Sequence, residues 1–208
     1  RVLELSPSDE EVEGDEDYIK VAVIGKPNVG KSSIVNRLTG EERCIVADMA
    51  GTTRDAIDTK FENEHGKYVF IDTAGMRKKS KVDDAIEKYS VLRATMAIER
   101  SDVCLILIDA QEGVTEQDTK VAGLAHEAGK ACIIVVNKWD AIEKDDKTIY
   151  RVTEKVRNTL SYMPYAEILF ISAKSGQRVH KIFETIDVVI ENNSMRVATG
   201  VLNEIVEE

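Results

Sequence analysis

Gly25-Lys26-Pro27-Asn28-Val29-Gly30-Lys31-Ser32 follows an apolar run at 19–24 and opens a helical pattern, and its reading decides the fold. It fits GxxxxGK[ST], a loop whose backbone N–H groups wrap a phosphate. Gly25 and Gly30 permit that close approach, and a helix beginning near Lys31 adds the positive end of its dipole. Lys31 is the expected point charge on the β- and γ-phosphates, and Ser32, with Ser33 beside it, the expected hydroxyl ligand of Mg²⁺. Standing alone, the run would be explained as well by a glycine turn before an ordinary helix.

Two further runs lie at the spacing that a second and third contact would need. Asp72-Thr73-Ala74-Gly75 begins 47 residues after Gly25 and ends the apolar run Tyr68-Val69-Phe70-Ile71. Asp72 is expected to hold Mg²⁺ through a water, and the Gly75 amide to sense the γ-phosphate. Asn137-Lys138-Trp139-Asp140, of form NKxD, follows 62 residues after Gly75, at the end of the apolar run 131–136. A carboxylate at Asp140 can accept from the N1–H and exocyclic amine of guanine and offers nothing suitable to adenine. Rejecting a base that leaves such groups unpaired is worth several powers of ten. Ser172-Ala173-Lys174, after the run 168–171, is expected to meet the guanine carbonyl through backbone N–H; alone the tripeptide carries no signal. The three main motifs in order predict a chain that binds GTP/GDP and hydrolyses GTP.

Composition sets bounds. With 208 residues and 43% apolar content there is material for one sizeable α/β core. The net charge of −10 is uneven: residues 1–17 hold eight acids against Arg1, a balance of −7, and residues 195–208 add −2. The body is close to neutral, so bulk charge gives no support for direct nucleic-acid binding. Cys44, Cys104 and Cys132 are widely spaced and read as buried small hydrophobes of a reducing compartment. His65, His126 and His180 read as surface or turn residues. No long apolar stretch or signal peptide is found, so a soluble cytoplasmic protein without a membrane partner is expected. The chain begins with Arg1, not Met, which fits a piece of a longer protein.

The continuous apolar runs at 21–24, 68–71, 103–108, 131–136 and 168–171 read as parallel strands covered on both faces. Ile57, Thr59 and Phe61 alternate with Asp58, Lys60 and Glu62, a half-exposed strand joined through Asn63-Glu64-His65-Gly66 as a hairpin. The expected fold is α/β: a P-loop three-layer sandwich whose mostly parallel, six-stranded sheet has one antiparallel edge strand. Two helical stripes, Val179-Ile182-Phe183-Ile186-Val189-Ile190 and Val82-Ile86-Tyr89-Leu92-Met96, are expected to be core. All nucleotide motifs fall at carboxyl ends of strands, where open α/β sheets bind ligands.

With the motifs placed, the chain resembles the second GTPase domain of the Der (EngA) family of bacterial ribosome-biogenesis GTPases. The resemblance is carried by Gly51-Thr52-Thr53-Arg54-Asp55, Glu87-Lys88-Tyr89-Ser90-Val91-Leu92-Arg93, Val114-Thr115-Glu116-Gln117-Asp118, 124–130 and Gly176-Gln177-Arg178-Val179-His180. It implies a linker at 1–17, a GTPase domain at 18–194 and the start of a KH-like domain at 195–208. The implied partners are the large ribosomal subunit or its precursor, together with the other GTPase domain and the KH-like domain of the same chain. It also implies K⁺ beside the phosphates, held by the Asn28 side-chain carbonyl and the backbone carbonyls of Ala47 and Met49.

The residue after Gly75 is Met76, whose thioether cannot orient water as a glutamine does in Ras-like switches. The implied cation would offset transition-state charge instead. Thr53, with Thr52 beside it, is the candidate switch residue on Mg²⁺ and γ-phosphate, and the sequence leaves both open. Arg54 and Arg77 fit solvated roles better than charge stabilisation, and the run 77–81 a solvated loop better than an RNA contact. An ATP-using P-loop enzyme is disfavoured by NKxD, and a dinucleotide oxidoreductase by glycines five apart. The alternative that stays open is a nucleotide-dependent binding module with negligible hydrolysis.

Overall fold

The computed structural model describes residues 17–40, 48–50, 57–73 and 86–194. The element order is β1 (Ile19–Ile24), α1 (Lys31–Gly40), β2 (Asp48–Ala50), β3 (Ile57–Asn63), β4 (Gly66–Phe70), α2 (Ile86–Arg100), β5 (Val103–Asp109), α3 (Glu116–Glu127) and β6 (Ala131–Asn137). A 3-10 turn (Trp139–Ala141), α4 (Thr148–Thr159), β7 (Glu167–Phe170) and α5 (Lys181–Ser194) complete it. The strands form one sheet in the order β2-β3-β4-β1-β5-β6-β7. From β4 to β7 every neighbouring pair is parallel, as the continuous apolar runs imply. All seven residues of β5 and of β6 are buried, the mark of strands covered on both faces.

β3 runs antiparallel to β4, and the alternation read in it is real: Thr59 and Phe61 are buried, while Asp58, Lys60 and Glu62 are partly exposed. Asn63 closes the hairpin, its Oδ1 accepting from the N–H groups of His65 and Gly66 at 2.9 and 3.1 Å. To the six expected strands the fold adds the three-residue β2, paired antiparallel outside β3.

Because side chains alternate across a strand, each strand feeds two cores. On one face Val21, Val23, Leu105, Leu107, Ile133 and Val135 pack with α1 and α5. On the other Ala22, Ile24, Cys104, Ile106, Ile134 and Val136 pack with α2, α3 and α4. The result is the expected three-layer sandwich. Strand connections leave β1 to one side through α1 and to the other from β5 onward, so β1 lies at a topological switch point, where such sheets bind ligands.

The α5 stripe is core as read: Val179, Ile182, Phe183, Ile186 and Val189 are buried. Phe183 stacks on Phe61 with centroids 5.3 Å apart and meets Tyr68 at 4.8 Å. The α2 stripe is corrected. Leu92 and Met96 are 56% and 49% exposed, and the helix instead turns Ala97 and Ile98, with Ala94 half-buried, onto the sheet. Small side chains let the helix approach closely, and their low hydrophobic weight conceals the inward face. Val82 lies outside the described residues, as does Cys44. Cys104 and Cys132 are buried free thiols, pushed up to about 11 and about 12 by burial.

Phe183→Ala should lower unfolding free energy by about 3–5 kcal/mol, whereas Met96→Lys should change it by less than about 0.5 kcal/mol. Urea denaturation read by circular dichroism tests both, and a Met96→Lys loss as large as that of Phe183→Ala would refute the assignment of the exposed face.

Candidate nucleotide site

At the end of β1 the chain turns through residues 25–30 into α1. Asn28 and Gly30 have positive φ, 61° and 104°. At Gly30 the reason is steric as well: a Cβ there would stand 2.4 Å from Asn137 Nδ2, and one at Gly25 2.7 Å from Leu107 O. Val29 is buried and anchors the loop from its middle. The first helical bond runs from Ile34 N–H to Gly30 O at 3.0 Å. The amides of Lys31, Ser32 and Ser33 therefore precede the helical ladder and carry the positive end of its dipole. Lys31 reaches back across the loop, donating from Nζ to the carbonyls of Gly25 and Lys26, both at 2.7 Å. Burial pulls its ammonium down to about 8, against the opposing pull of the Asp118 carboxylate.

The base side is built around Asn137, at the end of β6 and nearly fully buried. Its Nδ2 donates to Val29 O in the phosphate loop at 2.9 Å, and its Oδ1 accepts from Ala173 N–H at 3.0 Å. One amide thus ties together three motifs, its partners lying 108 residues before it and 36 after it. Lys138 is left-handed (φ 61°) and donates to Asp109 at 2.5 Å. Burial would raise the Asp109 carboxyl, but this bond and the Gln111 amide hold it below the usual range. Trp139 is buried against Phe170 and its N–H donates to Ile171 O at 3.0 Å. That packing leaves Asp140 exposed at the cavity rim, its carboxyl lowered by a hydrogen bond from Ser172 and by the charges of Lys174 and Lys144. A carboxylate that stays ionised is what guanine recognition needs.

An open cavity of about 780 Å³ is lined by Asn28 and Gly30 on the loop side and by Asn137, Asp140, Ala173 and Lys174 on the base side. Among the lining residues that carried no sequence signal are Gln111 and Arg37. From α1, Arg37 donates to Ala173 O at 3.1 Å and Lys174 O at 2.7 Å, clamping the Ser172-Ala173-Lys174 turn against the phosphate-loop helix. Its motif gives no hint because the contact is to backbone.

Asp72 follows β4, the strand beside β1. It sits at φ 54°, its N–H donating to Asp58 Oδ1 at 2.9 Å, and Thr73 shares a buried hydroxyl pair with Thr59 at 2.8 Å. β3 therefore fixes the start of this motif. Met49 lies in β2 opposite Asp58. Ala47, Thr52, Thr53, Ala74, Gly75 and Met76 lie outside the described residues.

A phosphate loop at the switch point of a doubly covered sheet, with the Asp140 carboxylate lining the same cavity, is the architecture of a guanine-nucleotide-binding P-loop domain. Residues 20–138 match a family described as 50S ribosome-binding GTPase, and the chain belongs to that family of GTP-binding, GTP-hydrolysing domains. It is 63% identical over 207 residues to GTPase Der of Agathobacter rectalis and 60% identical over 207 residues to GTPase Der of Acetivibrio thermocellus. In both cases the alignment covers 100% of this chain and 47% of the relative, so the chain spans about half the length of the relatives it matches. The resemblance read from the motifs, to a GTPase domain of Der, is thus found along the full chain. Among solved structures, Era in complex with MgGDPNP and nucleotides 1506–1542 of 16S ribosomal RNA is similar with a TM-score of 0.62 and 31% identity, over 82% of this chain and 56% of that one.

Asn137→Ala removes both bridging bonds and leaves Val29 O and Ala173 N–H buried without partners. Each orphaned group costs about 1–3 kcal/mol, so the nucleotide-free variant should be less stable by about 2–4 kcal/mol. Equilibrium denaturation without nucleotide checks this, and parent-like stability would mean the bridge is dispensable.

Proposed function

We propose that this chain is the second of two GTPase domains in a Der-type protein, and that it converts GTP and water to GDP and phosphate during assembly of the large ribosomal subunit. The observation that carries the nucleotide reading is the cavity itself, in which the phosphate loop and the base-reading turns face each other across one space. The ribosomal role is supported by the family description and by the Der relatives. Coverage of under half of those relatives supports further domains elsewhere in the parent protein. The proposed boundaries are a linker at 1–17, the GTPase domain at 18–194, and the start of a KH-like domain at 195–208.

The donor set suits the proposed ions. Mg²⁺ takes hard oxygen ligands; the Ser32 hydroxyl belongs to the first turn of α1, which follows β1, and the Asp72 carboxylate lies two residues past the end of β4, the strand beside β1. Thr53 would add a third oxygen. Bound there, the ion would neutralise charge on the β- and γ-phosphate oxygens. Asn28 stands in left-handed backbone on the cavity wall, and its side-chain oxygen, with the carbonyls of Ala47 and Met49, is the proposed K⁺ ligand set.

The chain's own residues carry the rest of the work. Lys31 directs its ammonium at the phosphates, and the amides of 30–33 bind their oxygens without reorganising. Gly75 N–H is placed by sequence to bind the γ-phosphate. Asp140 and the Lys174 backbone N–H select guanine, the Ala173 N–H being held by Asn137. Met76 offers water no hydrogen bond, so positioning and charge neutralisation must supply the acceleration.

GTP hydrolysis measured with Mg²⁺ in matched KCl and NaCl, with ATP as control, tests the proposal. At least about tenfold acceleration by KCl, lost in Asn28→Ala, is expected from a cation that takes the part of an arginine finger. Equal, very slow rates in both salts would instead favour the nucleotide-dependent binding module. Asp140→Asn should weaken GTP binding by about a hundredfold and favour xanthine nucleotides; an unchanged GTP preference in a competition assay would remove Asp140 from base recognition.

A further inference from the structure

Asp118 lies outside the nucleotide motifs, in the Val114–Asp118 stretch, yet it is a completely buried carboxylate. Locally it belongs to the capping box of α3. Its Oδ2 accepts from Thr115 N–H at 2.9 Å and from the Thr115 hydroxyl at 2.6 Å, while Asp118 N–H donates back to Thr115 Oγ1 at 3.4 Å. A cap needs only an acceptor there, and such acceptors normally sit at the surface with water on their remaining lone pairs. This one does not. Its Oδ1 is buried with no hydrogen-bond partner, a costly arrangement for an ionised group. The compensating charge comes from the phosphate loop: Lys26, itself only 7% exposed, places Nζ 3.8 Å from Asp118 Oδ2 and 2.6 Å from Glu112 Oε2.

The position of Lys26 makes this pair consequential. Its carbonyl is one of the two that hold the Lys31 ammonium, and its side chain is held by Glu112 from the segment after β5 and by Asp118 from the first turn of α3. The charged groups around the pair are Asp109 at the end of β5, Glu112 beyond it, Lys31 from α1 and Lys138 beyond β6. Glu112 is largely exposed, so its partnership with Lys26 is screened by water. Asp118 is the member that water cannot replace.

We propose that Asp118 is a positioning residue for the phosphate loop, holding Lys26 in place so that the loop backbone keeps Lys31 directed at the phosphate site. The proposal rests on the nucleotide reading above. It makes the start of α3 a third support of the loop, beside the buried Val29 and the Asn137 bridge.

A double-mutant cycle on GDP affinity separates this role from capping. Asp118→Asn keeps an acceptor for Thr115 N–H but removes the charge, and Lys26→Met removes the opposite charge while retaining the aliphatic stem. Asp118→Asn alone should weaken GDP binding about tenfold, equivalent to ~1.4 kcal/mol. In the Lys26→Met background it should add less than about twofold. Thr115→Ala, which breaks the cap but keeps the carboxylate, should lower the melting temperature with GDP affinity unchanged. Equal losses from Asp118→Asn in both backgrounds, or a Thr115→Ala loss of GDP affinity matching its own, would reduce Asp118 to a helix cap and overturn the proposal. Should Asp118→Asn not fold, Lys26→Met with GDP affinity equal to the parent's would overturn it equally. A parent protein that does not bind GDP would instead remove the nucleotide reading and this proposal with it.

Discussion

Everything in the site depends on one buried carboxamide. Asn137 can act as donor and acceptor at once, and it uses both functions on backbone, one bond to the phosphate loop and one to the Ser172-Ala173-Lys174 turn. A carboxylate could not donate to Val29 O, and an ammonium could not accept from Ala173 N–H. The amide also sets the space in front of it, because Gly30 passes so close that any side chain there would collide. The phosphate loop and the Ser172-Ala173-Lys174 turn are therefore one structure, held at a fixed separation by two bonds to backbone.

The sheet makes this bridge possible. Asn137 is the last residue of β6, registered beside Asp109 at the end of β5, and β5 in turn lies beside β1. Strands buried on both faces allow little sliding, since a register shift would carry whole rows of Val and Ile onto the wrong core. The loops at their carboxyl ends inherit that precision. Trp139 and Arg37 extend it: the first is packed under its own turn against Phe170, and the second reaches from α1 to the carbonyls of Ala173 and Lys174.

What was legible in the sequence follows the same physics. The parallel strands were, because burial on both faces demands uninterrupted apolar runs, and so was β3, because burial on one face demands alternation. The turn of the phosphate loop was, because glycine geometry restricts the residue types there. β2 was not: Asp48-Met49-Ala50 is too short for a period to show. The inward face of α2 was misread because its buried residues include alanines, which weigh less than the outward Leu92 and Met96. Arg37 was invisible because backbone carbonyls leave no trace of their partner in the sequence. Lys26 and Asp118 were each noticed, one as a loop residue and one within a family stretch, but an ion pair between residues 92 positions apart is a property of the fold alone.

The burial of Lys31 unites these features. An ammonium removed from water is costly, and here the cost is moderated by two carbonyl dipoles and the field of Asp118. Carbonyls are weak substitutes for water, so the lysine retains most of its capacity to attract an anion. Because much of its desolvation is done on folding, a phosphate arriving at the loop strips less water from it, and more of the Coulombic gain is available to binding. The same holds for the helix-terminal amides, already oriented by Ile34 and Gly30. A fold that spends its stability on holding one partly buried cation and a row of helix-terminal amides in position is organised for a polyanionic ligand, and the Asn137 bridge holds the Ser172-Ala173-Lys174 turn at a fixed distance from it.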